Sequence, residues 1–418
     1  MRVHSLWNGG PGGDPPAWPA GAGRRVESRA KPTREGFMMS GPLDIEVLDL
    51  SRLLPGPYCS MILADFGARV LKVEDTLRGD YFRTMGLAGG FETVNRGKKS
   101  LALDLKDPRG REVFYRLAER ADVVLEGFRP GVTARLAVDY PTLAELNPRL
   151  VYCSLTGYGQ EGPRSLRAGH DLNYIGLAGI LGLTGLPDGP PVIPSVQLAD
   201  LSGGLWAAYA ILAALLVRER TGRGQYIDVA MLDGILAFLP VLAQSMAEGR
   251  AARGSLPLAG GLACYRVYGT ADDKYVTMGA LEEKFWAEFC LAVDHPGWID
   301  RQYGPDQERL AGEVAALLRS RTRDEWLAFF EGRDICLEPV YGPDEVAADE
   351  HVKSRGVLAQ GPYLGVPVKL SLTPGAIRGP APDWGEHSSE VLAGVGYSDL
   401  EIEALLTAGV VKENGRSR

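Results

Sequence analysis

At 418 residues the chain exceeds one ordinary hydrophobic core, so two domains are expected. Hydrophobic residues at 45% and charged residues at 23% have the balance of a soluble globular protein. The net charge of −8, with a pI near 5.4, argues against a nucleic-acid surface, which needs a basic face. Cys59, Cys153, Cys264, Cys290 and Cys336 are scattered without a CxxC pair, which fits reduced thiols in a cytoplasmic enzyme better than a disulfide framework. No metal-spaced His/Cys cluster is found among the histidines.

Residues 1–41 are rich in Gly, Pro and Arg and lack an apolar period. They read as a disordered tail or as an over-long start ahead of Met38 or Met39, and they hold no apolar core of a signal peptide. From Pro42 strands and helices alternate. Ile45–Leu48 reads as a strand, followed by Ser51 as a helix cap, Pro55 and Pro57 in the first turn, and a helix carrying Met61, Ile62, Leu63 and Phe66 to Gly67. Val70–Val73 completes a right-handed βαβ unit. Strands at Leu101–Leu105, Val123–Leu125 and Leu150–Leu155, with an amphipathic helix over Gly110–Ala121, extend it. The fold class is therefore α/β, with a Rossmann-like parallel sheet. The first turn, "DLSRLLPGPYCS", lacks G-x-G-x-x-G, so NAD or FAD binding is not expected.

Two apolar stretches, Leu201–Val217 and Ile227–Ala247, read as buried helices rather than membrane spans, because Arg218, Asp228, Asp233 and Pro240 interrupt or flank them. Further on, Cys264–Tyr268 and Lys274–Met278 flank "GTADD" as a hairpin, and helices follow near Glu283–Ala292, Glu308–Leu318 and Arg323–Phe330. Residues 234–345 read as a smaller α+β domain. Residues 42–233 and 346–418 then form one discontinuous large domain.

Four constellations carry possible chemistry. Arg78, Arg83, Arg96, Lys98, Lys99, Arg129 and Arg135 form basic loops where parallel strands end, suited to a polyanion or equally to solvated turns. In "AGHDLNYIGLAGILG", Asp171 is placed to cap a helix, whose N-terminus favours a neutral, basic His170. Asp200 opens a strongly apolar helix, followed by Gly203 and Gly204. These glycines suggest close substrate approach, with free N–H groups for an oxyanion. Glu282 and Glu283 start a helix after the hairpin, an ordinary acidic first turn by itself.

The segments "LDLSRLLPGPYCSMILADFGARVLKVE", "NRGKKSLALDLKDPRG", "EGFRPGV", "YCSLTGYGQEGP", "RERTGRGQYIDVAMLD" and "GEHSSEVLAGVGYSDLEIEALLTAGVV" together resemble the family III CoA-transferase (CaiB/BaiF) superfamily. Gly169, His170, Asp171, Asn173 and Tyr174 match the G-H-D-x-N-Y motif of its 2-methylacyl-CoA racemase branch, and Glu282 matches the glutamate of that branch's GA-x-E segment. The resemblance implies His170, supported by Glu282, on one face of the substrate carbon, with Asp200 on the opposite face and Asp171 beside them. It implies an acyl-CoA thioester substrate, no further cofactor, and contacts to coenzyme A from Lys72, Arg83, Asn95, Arg96, Lys98, Lys99, Gly127, Phe128, Arg129, Arg135 and Tyr174. It also implies an interlocked homodimer, while the acidic charge and the interrupted apolar stretches leave neither nucleic acid nor membrane expected as partner. The other branch transfers CoA between carboxylic acids through an aspartyl-CoA thioester, for which Asp200 holds the matching position. The "GDYFR" segment resembles that branch, and Val196 stands where racemases commonly carry asparagine.

Overall fold

The computed structural model describes residues 42–86, 89–241, 243–249, 251–358 and 364–414. The expected tail, residues 1–41, lies outside the described residues. β1 (Glu46–Asp49), β2 (Arg69–Glu74), β3 (Lys99–Leu103), β4 (Val123–Glu126), β5 (Val151–Thr156) and β6 (Tyr226–Ala230) pair in parallel. β7 (Tyr265–Gly269), β8 (Tyr275–Gly279) and β9 (Leu337–Pro339) make a separate antiparallel sheet, which contains the expected hairpin. β10 (Val411–Lys412) returns antiparallel to β3, giving a seven-stranded sheet of order β10-β3-β2-β1-β4-β5-β6. The order reverses between β1 and β4. In such sheets a crevice opens there, beyond the carboxyl ends of the strands.

Both faces of the large sheet are covered, which is why its strands read as apolar runs. Val47, Val123, Leu125, Val151 and Cys153 belong to one core, with helices α1 (Pro55–Asp65) and, further along the chain, Leu198–Thr221 against them. Leu48, Leu101, Val124 and Tyr152 belong to the other, with α2 (Pro108–Ala118), where Asp107 accepts the Arg109 N–H as a cap at 2.8 Å. Ser51 does not cap α1. Its hydroxyl donates to Asp49, and Leu54 holds the cap position without a side-chain bond.

Two further helices pack on this sheet: α3 (Asp171–Leu177) and α4, the long helix Leu198–Thr221. By length and composition α4 is able to cross a membrane. One side of it is rich in small residues and packs inward through Ala207, Ala208, Ile211 and Ala214, while Leu205, Tyr209, Leu216 and Val217 are exposed. The expected burial thus holds for one side only. The other apolar stretch, expected as one helix over Ile227–Ala247, divides into β6, α5 (Met231–Leu236) and a short helix at Ala243–Ala247. Val229 is buried beside partly buried Ile227 while Asp228 faces the opposite side, a period of two that suits a strand.

α6 (Glu283–Ala292), α7 (Gln307–Leu318) and α8 (Arg323–Phe330) build a separate core with β7, β8 and β9 around Trp286, Phe289, Val314 and Trp326. α9 (Ser388–Gly394) and α10 (Asp399–Thr407) bring Leu392, Ile402 and Leu405 back to the large sheet.

Gly203 and Gly204 serve helix packing rather than substrate approach, which corrects the sequence reading. A Cβ on Gly203 would lie 2.7 Å from Met231 Cγ, and one on Gly204 would lie 2.5 Å from the Pro55 carbonyl oxygen. We expect Gly204→Ala to destabilise the protein by about 1–3 kcal/mol through overpacking against backbone. Gly312, inside α7, makes the control, because a Cβ added there would meet nothing within 4 Å. Gly312→Ala should stabilise by about 0.5–1 kcal/mol. Thermal melts of the two variants check this, and equal shifts would contradict it.

Candidate active site

The segments leaving β4 and β5 lie beyond the carboxyl ends of the parallel strands. Beyond β5, Gly157 and Tyr158 lead into the loop ending at His170. A Cβ on Gly157 would meet the Tyr174 hydroxyl at 2.3 Å, so only glycine fits under that ring. Tyr174 is buried, lies edge-on to Tyr158 at 5.1 Å, and donates its hydroxyl to the Gly169 carbonyl at 2.6 Å. This closes the loop onto the start of α3.

His170 is the N-cap residue of α3 and is exposed, and its backbone N–H donates to Asn173 Oδ1 at 3.0 Å. Asp171, expected to cap the helix it begins, caps α4 instead. Its Oδ1 accepts the N–H of Ala199 at 2.6 Å and of Asp200 at 3.2 Å. A carboxylate on orphan amides at a helix start combines hydrogen bonding with the helix dipole. The same contact removes two amides that the sequence reading leaves free for an oxyanion.

Asp200 therefore sits in the first turn of α4, with the Asp171 carboxylate against its own backbone. Burial, and next the Asp171 charge, push its carboxyl up from 3.8 to about 7. A carboxyl with that value is half protonated at neutral pH and can both give and take a proton. Burial, then Asp200, Tyr158 and Asp171 push the Tyr174 hydroxyl up, while Arg129 opposes them. Asp171, Tyr174, Asp200 and Arg129 thus share one neighbourhood. His170 adjoins it through Asp171.

Glu282 does not join them within this chain. It is the exposed N-cap residue of α6, and its charge acts on Tyr303 and Cys336. Among the described residues no interaction links it to His170 or Asp200.

Most of the expected polyanion-binding charges are engaged with carboxylates. Lys72 is fully buried, 2.8 Å from Asp80 Oδ2, and donates to the Ser51 carbonyl at 3.0 Å. Lys98 is also buried and donates to Ser60 Oγ at 2.7 Å, Asn95 Oδ1 at 2.9 Å, the Pro57 carbonyl at 3.0 Å and Asp49 Oδ2 at 3.2 Å. Burial, only partly offset by Asp49, lowers the Lys98 ammonium to about 8. Burial alone would push Asp49 up, but the Lys98 and Lys72 charges and the Ser51 and Ser60 hydroxyls hold it at about 2. Asn95 donates to the Phe91 carbonyl and is buried. Arg96 forks onto Asp65 at 2.5 and 3.2 Å, Arg83 forks onto Glu74 at 2.7 and 2.9 Å, and exposed Lys99 pairs with Glu390.

Arg129 and Arg135 are different. Both are exposed, and among the described residues no carboxylate pairs with either. Gly127 and Phe128 lie just before Arg129, with the Arg52 guanidinium 5.4 Å over the Phe128 ring. Of the basic set, Arg129 and Arg135 at and beyond the exit of β4, together with exposed Arg78, have no carboxylate partner among the described residues. Sequence reasoning passes over Arg52 and Glu126, although both lie in the quoted segments "DLSRLLPGP" and "EGFRPGV". An acidic residue closing a fully buried strand is the available signal for Glu126.

A family model described as CoA-transferase family III matches residues 43–388. Alpha-methylacyl-CoA racemase of Homo sapiens is 37% identical over 383 residues, spanning 88% of this chain and 97% of that protein. Succinyl-CoA:glutarate CoA-transferase of Homo sapiens is 35% identical over 400 residues, spanning 89% of this chain and 90% of that protein. Among solved structures, a CAIB/BAIF family protein from Brucella suis superposes with a TM-score of 0.75 at 33% identity, covering 85% of this chain and 99% of that one.

The raised Asp200 carboxyl makes stability depend on pH. The folded state binds this proton more tightly than the unfolded chain, so Asp200 lowers stability progressively as pH rises from about 3.8 to about 7. Asp200→Asn removes that dependence. The difference in melting temperature, variant minus wild type, should grow between pH 4 and pH 7 and level off above. A flat difference across that window would contradict the assignment.

Proposed function

The chain belongs to CoA-transferase family III, and from that premise we propose that it inverts the α carbon of a 2-methyl-branched acyl-CoA, with Asp200 and His170 as the two acid/base groups. The thioester makes the α proton acidic. One group takes it from one face, leaving an enolate, and the other returns a proton to the opposite face. The reaction balances with no oxidant, reductant or metal, and coenzyme A enters as part of the substrate. The observation that carries this reading is Asp200, half-buried beside Asp171 with its carboxyl near 7. Such a carboxyl is matched to proton transfer at neutral pH.

His170, one residue from Asp171, supplies the second group. Glu282, remote from both in this chain, would support His170 from a second copy. A homodimer would also cover the exposed Leu205, Tyr209, Leu216 and Val217 of α4. Arg129 and Arg135 would take the phosphates of coenzyme A. The second reading, CoA transfer through an Asp200 thioester, draws on the 35% identity to a CoA-transferase over nearly the same span.

Incubation of one enantiomer of a 2-methylacyl-CoA in D₂O separates the two. Inversion predicts deuterium at the α carbon and an equal mixture of enantiomers without any acceptor acid. Acceptor-dependent CoA exchange without α deuteration would establish the transferase instead. Asp200→Asn and His170→Ala should each slow inversion by on the order of 10²–10⁴-fold. Each variant should retain exchange from one enantiomer only, the two variants choosing opposite ones.

The two directions require the same protonation level, one proton shared between the pair. Hence kcat/KM for both enantiomers should follow one bell-shaped pH profile, with a limb near pH 7 from Asp200. A profile with no limb near pH 7 would contradict the assignment of Asp200.

A further inference from the structure

Glu126 ends β4 with 2% exposure, and the turn Gly127–Arg129 follows it directly. Its Oε2 accepts the Phe128 N–H at 2.7 Å and its Oε1 accepts the Ser154 hydroxyl. Ser154 Oγ in turn accepts the Tyr226 hydroxyl at 3.0 Å. Strand register makes this possible: Glu126, Ser154 and Asp228 stand side by side on β4, β5 and β6, with Tyr152 and Tyr226 stacked at 5.9 Å one row below. A line of hydroxyls therefore runs from the edge strand to the turn.

A buried carboxylate is an expensive way to hold a turn, since a serine or an amide would accept the same N–H without burying a charge. We infer that Glu126 is a positioning residue that fixes the Gly127–Arg129 turn and thereby sets the affinity for coenzyme A without taking part in proton transfer. This rests on the reading of Arg129 as a phosphate contact. The anion accepts from both donors at once through charge-assisted hydrogen bonds, whereas a protonated carboxyl must donate on one side. Burial and Asp228 push Glu126 up, Ser154 and Phe128 pull it down, and it comes to rest at about 7. The other titratable groups around it are Tyr152 and Cys153 on β5 and Tyr226 on β6. Above that pH the Phe128 bond is charge-assisted, and as pH falls through about 7 it weakens to a neutral one.

The test is calorimetric binding of coenzyme A itself at pH 6 and pH 8, with turnover measured in parallel. At pH 8, Glu126→Gln should bind about tenfold more weakly than wild type, as expected for loss of a charge-assisted hydrogen bond. Its KM should rise while kcat stays unchanged, and at pH 6 the gap to wild type should close. Tyr226→Phe, which removes one hydroxyl at the far end of the line, should weaken binding about two- to threefold and serves if Glu126→Gln does not fold. Wild-type affinity in both folded variants at pH 8, or a fall in kcat with unchanged KM, overturns the inference. Failure of the wild type to bind coenzyme A at all would instead overturn the functional reading on which it stands.

Discussion

The carboxylate of Asp171 closes the open end of a helix to which it does not belong. By accepting the N–H groups of Ala199 and Asp200 it ties the start of α3 to the start of α4. Two acids then occupy one helix entrance, where the dipole tolerates negative charge but burial does not. The compromise is a division between the two carboxyls. Asp171 keeps the cap, and Asp200 rests near neutrality. The surrounding parts follow from this contact. Gly157 makes room for Tyr174, Tyr174 closes the loop carrying His170, and the glycines of α4 let its first turns reach α1 and α5.

The interior beneath the crevice is built on charge. Asp49, Lys98, Lys72 and Asp80 form a fully buried set, with Ser51, Ser60 and Asn95 saturating the ammonium groups. Removing one partner from such a pair leaves an uncompensated buried charge, typically at a cost of about 3–5 kcal/mol. These residues fix how the segment after β1 and the turn near Asp80 meet. Arg96 on Asp65 and Arg83 on Glu74 extend the same logic outward. Arg129 and Arg135, at and beyond the exit of β4, stay outside this network.

Much of the fold is legible in the sequence because its signals are local. The helix over Glu283–Ala292 and the hairpin around "GTADD" announce themselves by periodicity and turn residues alone. The parallel sheet follows from repeated strand–helix alternation. Legibility fails where a partner lies far along the chain. Asp171 looks like a local cap, and nothing nearby reveals that the amides it satisfies are 28 and 29 residues on. Lys72 and Lys98 look like loop charges until Asp80 and Asp49 are brought beside them by strand pairing. Gly203 and Gly204 read as ligand-facing for the same reason: the Met231 side chain and the Pro55 carbonyl that require them belong to other helices. The stretch Ile227–Ala247 reads as a single helix because its total apolarity hides a period of two at its start.

The proposed chemistry turns on whether the Asp200 carboxyl is poised between its two protonation states at neutral pH. Carbon-13 NMR of aspartate-labelled protein, with the Asp200 signal assigned by its loss in Asp200→Asn, reads that titration without any substrate. A midpoint at about 7 is the predicted result, and a midpoint at the ordinary 3.8 would contradict it.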